Sequence, residues 1–181
     1  MLLQSKPGEL NSGIIDFSLK GIDEKIYTLS EFSGKKILVI IFMCNHCPYV
    51  KAVIGRFIKL QTKYGNKGVQ LIGISPNDVT AYPEDSFGNM KLFAKNYSMN
   101  YPYLFDESQE TAKKYEAVCT PDIYVYDEKK ILKYRGRLDD SWKDESQVKS
   151  KDLEAAIELI LDEKEISFEQ IPSMGCSIKW K

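Results

Sequence analysis

One junction constrains this chain more than any other feature. Lys36-Ile37-Leu38-Val39-Ile40-Ile41-Phe42-Met43 is an apolar run behind a single lysine, rich in β-branched side chains, and it ends directly on Cys44-Asn45-His46-Cys47. It is far too short to span a bilayer. A run apolar on both sides of the pleat is expected for a strand buried on both faces, the central strand of a parallel sheet. From about His46 to Tyr64 the period changes. Val50, Val53, Ile54, Phe57 and Leu60 recur at three- and four-residue steps and define one helical face. Gly65-Asn66-Lys67-Gly68 ends that helix, and Val69-Gln70-Leu71-Ile72-Gly73-Ile74-Ser75 reads as a second buried strand. Strand, helix and strand make a right-handed βαβ unit with two cysteines at its first turn.

The flanks extend this into an α/β domain. Phe17 to Leu29 reads as two short extended pieces around a Gly/Asp turn. Pro76 to Ser86 reads as a loop, Met90 to Tyr97 as a helix, Tyr103-Leu104-Phe105 as a short strand and Ser108 to Tyr115 as another helix. Cys119-Thr120-Pro121 leads into Ile123-Tyr124-Val125-Tyr126, and a turn at Asp127-Glu128-Lys129-Lys130 returns the chain through Ile131 to Arg135 as an antiparallel hairpin at a sheet edge. Lys151 to Leu161 has an amphipathic helical pattern, and the tail 166–181 shows no periodicity. The expectation is one domain over 1–181 with an irregular C-terminal tail.

Composition narrows the function. The hydrophobic fraction is 43% and the charged fraction 28%, ordinary for a soluble globular protein. A formal net charge of −1, with lysines scattered, supplies no basic field for nucleic acid. The first residues lack the basic start and long apolar run of a secretory signal, so no membrane partner and a cytoplasmic location are expected. Four cysteines are too few for a disulfide scaffold at this length. In a reducing compartment they are catalytic, metal-binding or simply buried.

Cys44 and Cys47 have chemistry to do at such a junction. Unpaired backbone N–H groups and the positive end of the helix dipole favour a thiolate there. Cysteines so placed have pKa values of roughly 3.5 to 7.5, against about 8.5 for a free thiol. One helical turn brings the two sulfurs within reach of each other. His46 between them can donate a hydrogen bond to the Cys44 thiolate or stabilise it as a cation, and Pro48 suits the first helical turn. A zinc site wants four ligands, and there is no second CxxC to complete one, so no metal is expected.

A strand–CxxC–helix unit followed by Thr120-Pro121 before an edge hairpin resembles the thioredoxin superfamily. The segments Cys44-Asn45-His46-Cys47-Pro48-Tyr49-Val50, Ile74-Ser75-Pro76-Asn77-Asp78 and Tyr82-Pro83-Glu84-Asp85-Ser86-Phe87 look closer to its peroxiredoxin-like, AhpC/TSA-like redoxins. The resemblance runs from about Gly8 to the C-terminus. It implies a thioredoxin-like α/β fold: a central, mostly parallel sheet, a C-terminal antiparallel hairpin, and helices on both faces. It makes Cys44 the attacking cysteine, Cys47 the resolving cysteine and Pro121 a cis-proline, with Thr120 offering its backbone to a bound substrate. Two departures matter. The tryptophan before the first cysteine of thioredoxin is Met43, and thioredoxin's buried acid is Leu38. The peroxiredoxin signature P-x-x-x-T-x-x-C fails too. The residue three before Cys44 is Ile41 and three before Cys47 is Cys44, and the expected arginine ahead of the hairpin is replaced by Thr120-Pro121. Without that pair nothing polarises a peroxide O–O bond.

Thiol–disulfide exchange therefore ranks first, through a mixed disulfide with a protein or small-molecule substrate, needing an external reductant and no cofactor. A thiol peroxidase and a non-enzymatic metal- or partner-binding module are the alternatives. Parallel strands end at one pole. Asp78, Asp139, Asp140 and Trp142 should rim the dithiol there, one carboxylate serving as proton acceptor and Trp142 with Asn45 contacting substrate. Cys119 and Cys176 are candidate accessory thiols, the latter a distant resolving cysteine as in some peroxiredoxins.

Overall fold

The computed structural model describes residues 1–181. In chain order the elements are β1 (Leu2–Gln4), β2 (Ser18–Gly21), β3 (Ile26–Thr28), β4 (Ile37–Phe42), α1 (Pro48–Tyr64), β5 (Val69–Ser75), α2 (Phe87–Tyr97), β6 (Tyr103–Phe105), α3 (Glu110–Lys114), β7 (Cys119–Thr120), β8 (Asp122–Tyr126), β9 (Leu132–Arg135), α4 (Asp152–Leu161) and β10 (Met174–Ser177). A seven-stranded sheet in the order β3-β2-β6-β5-β4-β8-β9 forms the body, and β1-β10-β7 forms a second, small sheet.

The apolar run becomes β4, and all six of its residues are buried. Its alternation explains why. Ile37, Val39 and Ile41, with Met43 beyond the strand, face one core with Val50, Phe57 and Tyr64 of α1 and Ile157 of α4. Leu38, Ile40 and Phe42 face a second core with Phe17, Ala112 of α3 and Tyr115. Period-two alternation with both faces covered makes this strand the keel of the fold. Burying each such side chain contributes about 1.5–3 kcal/mol. The helices lie on both faces, and no helix is long and apolar enough to cross a membrane.

The sheet is mixed rather than mostly parallel. The pairs β4/β5 and β5/β6 are parallel, whereas β2/β3, β2/β6, β4/β8 and β8/β9 are antiparallel. Parallel pairing needs a crossover, and only the segments carrying α1 and α2 supply one. No crossover joins β8 to β9, and the 17–28 hairpin docks on the edge of β6. The tail also departs from expectation, because Met174–Ser177 forms β10 between β1 and β7. Met-Gly-Cys-Ser carries no period-two signal. Its strand state comes from two partners far away in sequence, which a local pattern cannot report.

Candidate active site at the head of helix α1

Cys47 is the N-cap residue of α1, extended at φ −62° and ψ 121°, with Pro48 in the first turn. Pro48 loses nothing by lacking an N–H there. Cys44 stands three residues earlier, just past β4. The Thr120–Pro121 peptide is cis and sits against both sulfurs. The Thr120 carbonyl lies 3.1 Å from Cys47 Sγ, and its hydroxyl oxygen lies 3.5 Å from Cys44 Sγ. All four cysteines are free.

The two thiols share one buried environment but are not equivalent. Cys44 is pushed well up, first by its hydrogen bond to Cys47, then by burial and by the charge of Asp85. Cys47 is drawn down, first by the bond from Cys44, then by Thr120 and by the main-chain N–H groups of Val50 and Cys176. Burial opposes that shift. So does the Thr120 carbonyl, which accepts only from a protonated sulfur. The pair holds its negative charge beside the helix N-terminus, where these donors draw Cys47 down while the 3.1 Å contact with the Thr120 carbonyl asks for a proton on the same sulfur. Both sulfurs are enclosed, with Cys44 1% and Cys47 0% exposed, whereas an attacking cysteine at this turn has to meet its substrate. The enclosing element is β10, whose Cys176 stands opposite Thr120.

The loop between the cysteines is held by a carboxylate that sequence reasoning missed. Asp85 is fully buried. Its Oδ1 accepts from the main-chain N–H of Asn45 at 2.8 Å and of His46 at 3.1 Å. Its Oδ2 accepts from Asn77 Nδ2 at 2.8 Å and lies 2.6 Å from His46 Nδ1. His46 also stacks on Tyr82, with centroids 5.4 Å apart. Asp85 lies in a short 3₁₀ turn, Pro83–Asp85, just before Ser86 caps α2. The segment around it carries family resemblance, but no spacing rule links position 85 to position 46.

Cys44, His46 and Asp85 each offer a ligand atom within 4.8 Å of the others. Their donor set suits a proton relay better than a metal. Asp85 already meets four partners, so its lone pairs are occupied.

The three carboxylates expected as proton acceptors hydrogen-bond to groups other than the sulfurs. Asp78 Oδ1 accepts from the Thr80 N–H, Asp140 Oδ1 accepts from the Lys149 N–H, and Asp139 pairs with Arg56 at 2.5 Å. None of these bonds reaches a sulfur: Asp78 and Asp140 tie nearby loop N–H groups, and Asp139 pairs across to α1. Asp85 is the carboxylate beside Cys44. Asn45 is likewise used internally, donating to the Glu84 carbonyl at 3.0 Å and accepting from the buried Tyr103 hydroxyl at 2.9 Å. Thr120 has its strand edge covered by β10. Trp142 packs on Tyr49 with centroids 4.1 Å apart. It borders a cleft of about 220 Å³ beside Pro121 together with Asp139 and Asp140, so three of the four residues expected at the rim line one cleft next to the cis-proline. A larger cleft of about 370 Å³ lies among charged side chains of α1 and α4 and touches no sulfur. Cys119 is buried, and burial pushes its thiol far up, which marks it as a packing residue.

The fold and site define a thioredoxin-like α/β protein with a buried dithiol at a helix head. The AhpC/TSA family profile matches residues 10–135, and the chain belongs to that family. It is 26% identical over 136 residues to Peroxiredoxin Q, chloroplastic, of Triticum aestivum, a match covering 70% of this chain and 59% of that protein. It is 30% identical over 117 residues to the thioredoxin-like protein YneN of Bacillus subtilis (strain 168), covering 65% of each. The chain thus spans less than two thirds of the length of these curated relatives. An uncharacterized conserved protein from Geobacillus kaustophilus has a solved structure that superposes with a TM-score of 0.94 at 38% identity, covering 100% of this chain and 97% of that one.

Proposed function

We propose that this chain is a thiol–disulfide oxidoreductase in which Cys47 carries the resting thiolate, Cys44 carries the proton, and His46, held by Asp85, accepts it. The Cys47 thiolate attacks a substrate disulfide and forms a mixed disulfide, releasing the first substrate sulfur as a thiolate. Cys44 then gives its proton to His46, attacks Cys47 Sγ and releases the second substrate thiolate. A Cys44–Cys47 disulfide remains, and an external dithiol reductant restores the pair. Asp85–His46 stands in for the acid absent at Leu38. The observation that carries this reading is the paired sulfurs at the head of α1, one supplied with donors and one with a neighbouring imidazole.

Peroxidase chemistry is the second reading, favoured by the name of the Triticum aestivum relative and by a thiolate at a helix N-terminus. Against it stand the arginines. The chain has three, and each pairs with a carboxylate: Arg56 with Asp139, Arg135 with Asp122 and Arg137 with Asp152. Arg56 and Arg135 are buried in their pairs, and Arg137, at the cleft beside Pro121, commits its Nε to Asp152. Two turnovers in wild type, Cys44→Ser and Cys47→Ser decide between the readings. Reduction of a protein disulfide, lost in both variants, is the expected result. Rapid hydrogen peroxide consumption without disulfide reduction overturns it.

A further inference from the structure

We propose that Cys176 is a third thiol of the redox site, exchanging into the Cys44–Cys47 disulfide to form a Cys47–Cys176 bond that carries the oxidising equivalent toward the surface. This rests on the dithiol reading above and assigns that site its exit.

Three observations place Cys176 there. First, β10 pairs antiparallel with β7 in a register that sets Cys176 opposite Thr120. Thr120 is the residue whose carbonyl and hydroxyl touch the two dithiol sulfurs. Second, the approach of β10 is as close as a backbone permits. A Cβ added at Gly175 would lie 1.9 Å from the Thr120 carbonyl oxygen. Only glycine allows that spacing, and the next residue is thereby set against the dithiol. Third, Cys176 lies close enough to Cys47 for its main-chain N–H and its thiol to act on that sulfur's acidity.

Exposure gives the arrangement its direction. Cys44 and Cys47 are enclosed, whereas Cys176 is partly exposed. Direct attack by the dithiol on a bulky partner requires β10 to give way, whereas a partner can approach Cys176 with β10 in place. Thiol–disulfide exchange is attack in line with access, so the accessible member handles the large partner.

The step balances without an external oxidant. The Cys176 thiolate attacks Cys47 Sγ of the Cys44–Cys47 disulfide. The Cys47–Cys176 bond forms and the Cys44–Cys47 bond breaks. Cys44 leaves as a thiolate beside the Thr120 hydroxyl and takes up the proton that Cys176 gave up. One disulfide is exchanged for another, and nothing is oxidised or reduced overall.

The order of events is built in. While the pair is reduced, burial first and then the hydrogen bond and charge of Cys47 push the Cys176 thiol up to about 11. Oxidation of Cys47 removes both of its contributions, so that burial alone still raises the thiol, against the lowering charges of Lys179 and the N-terminus. Cys176 is therefore a better nucleophile beside the disulfide than beside the reduced dithiol.

Disulfide mapping of the full chain tests this. Reduced wild type, Cys44→Ser and Cys176→Ser are oxidised with one equivalent of diamide, blocked with N-ethylmaleimide and mapped by non-reducing digestion and mass spectrometry. Wild type should contain both Cys44–Cys47 and Cys47–Cys176 links, and Cys44→Ser should collect Cys47–Cys176 alone. Cys176→Ser should keep Cys44–Cys47 and react about tenfold more slowly with a reduced protein substrate, with its reaction with dithiothreitol unchanged. A Cys44–Cys47 link alone in wild type, no Cys47–Cys176 link in Cys44→Ser, or an unchanged protein-substrate rate in Cys176→Ser overturns the relay and leaves the dithiol reading standing. Absence of any Cys47 disulfide in all three proteins overturns both.

Discussion

Replacing Asp85 by asparagine isolates the element that the site depends on and that no motif announces. Asparagine keeps the shape of the side chain but turns one acceptor oxygen into a donor. The amide oxygen can still face the main-chain N–H groups of Asn45 and His46, at the weaker strength of a neutral acceptor. The amide nitrogen then faces Asn77 Nδ2 and His46 Nδ1. Asn77 cannot turn over without losing the 2.9 Å bond that its oxygen receives from the Lys179 N–H. His46 can adapt only by moving its proton to Nε2, so that Nδ1 accepts. At least one bond to a charged group is lost and two are weakened, a destabilisation of about 3 kcal/mol. For a chain of this length that lowers Tm by roughly 6–12 °C. The proton shift has a second consequence. Nε2 now bears the hydrogen and cannot accept the Cys44 proton, so disulfide reductase turnover should fall about 100-fold, within the usual contribution of a positioned base. Thermal melting followed by circular dichroism and a protein-disulfide reduction assay at one temperature below both transitions measure the two effects separately. A Tm within about 2 °C of wild type together with turnover within about threefold would refute the reasoning.

Other expected outcomes probe the sulfurs and their cover. Because Cys47 is the depressed thiol, its thiolate persists as pH falls below the ordinary value of about 8.5, and it protonates only below its own lower pKa. Iodoacetamide trapping of Cys47 should accordingly stay on its plateau at neutral pH, and Cys44→Ala, which removes the leading donor, should move the fall-off upward. A fall-off at the free-cysteine pH in wild type would contradict the donor arrangement. Gly175→Ala forces β10 away from the Thr120 carbonyl, costing about 1–3 kcal/mol, and should speed alkylation of both enclosed sulfurs. An unchanged alkylation rate would show that β10 is not their cover. Arg56→Ala strips the partner from buried Asp139 and should destabilise by about 3–5 kcal/mol in urea unfolding, with thiol reactivity unaltered in the folded protein. Altered thiol chemistry would return Asp139 to the site.

Much of the frame is legible in the residues because it is local. The run Ile37–Phe42 can only be a doubly buried strand, and the three- and four-residue steps from Val50 to Leu60 can only be a helix facing it. The junction between them places the dithiol and Pro48 without further information. What fails is everything set by pairs distant in sequence. Asp85 reaches His46 from 39 positions away, and its own neighbourhood reads as an ordinary turn before a capped helix. Asp139 looked free at the pole because nothing near it in sequence announces Arg56, which is 83 positions earlier. The tail looked irregular because β10 carries no pattern of its own and owes its state to β1 and β7. Cys47, not Cys44, caps the helix, a difference of three residues at a boundary that spacing alone leaves loose.

Enclosure and reactivity are linked here. A thiolate shut away from water loses hydration, which raises its pKa unless the protein replaces the lost donors. Cys47 receives that replacement from Cys44, Thr120, Val50 and Cys176, and one of the four belongs to the strand that closes the site. Displacing β10 would thus do two things at once. It would open the sulfurs to a partner, and it would remove one of the donors that keep Cys47 ionised. A site built this way cannot be made more accessible without becoming less acidic, unless water enters as the strand leaves. Exchange through Cys176 avoids the conflict, because it opens a path to the surface while β10 stays in place.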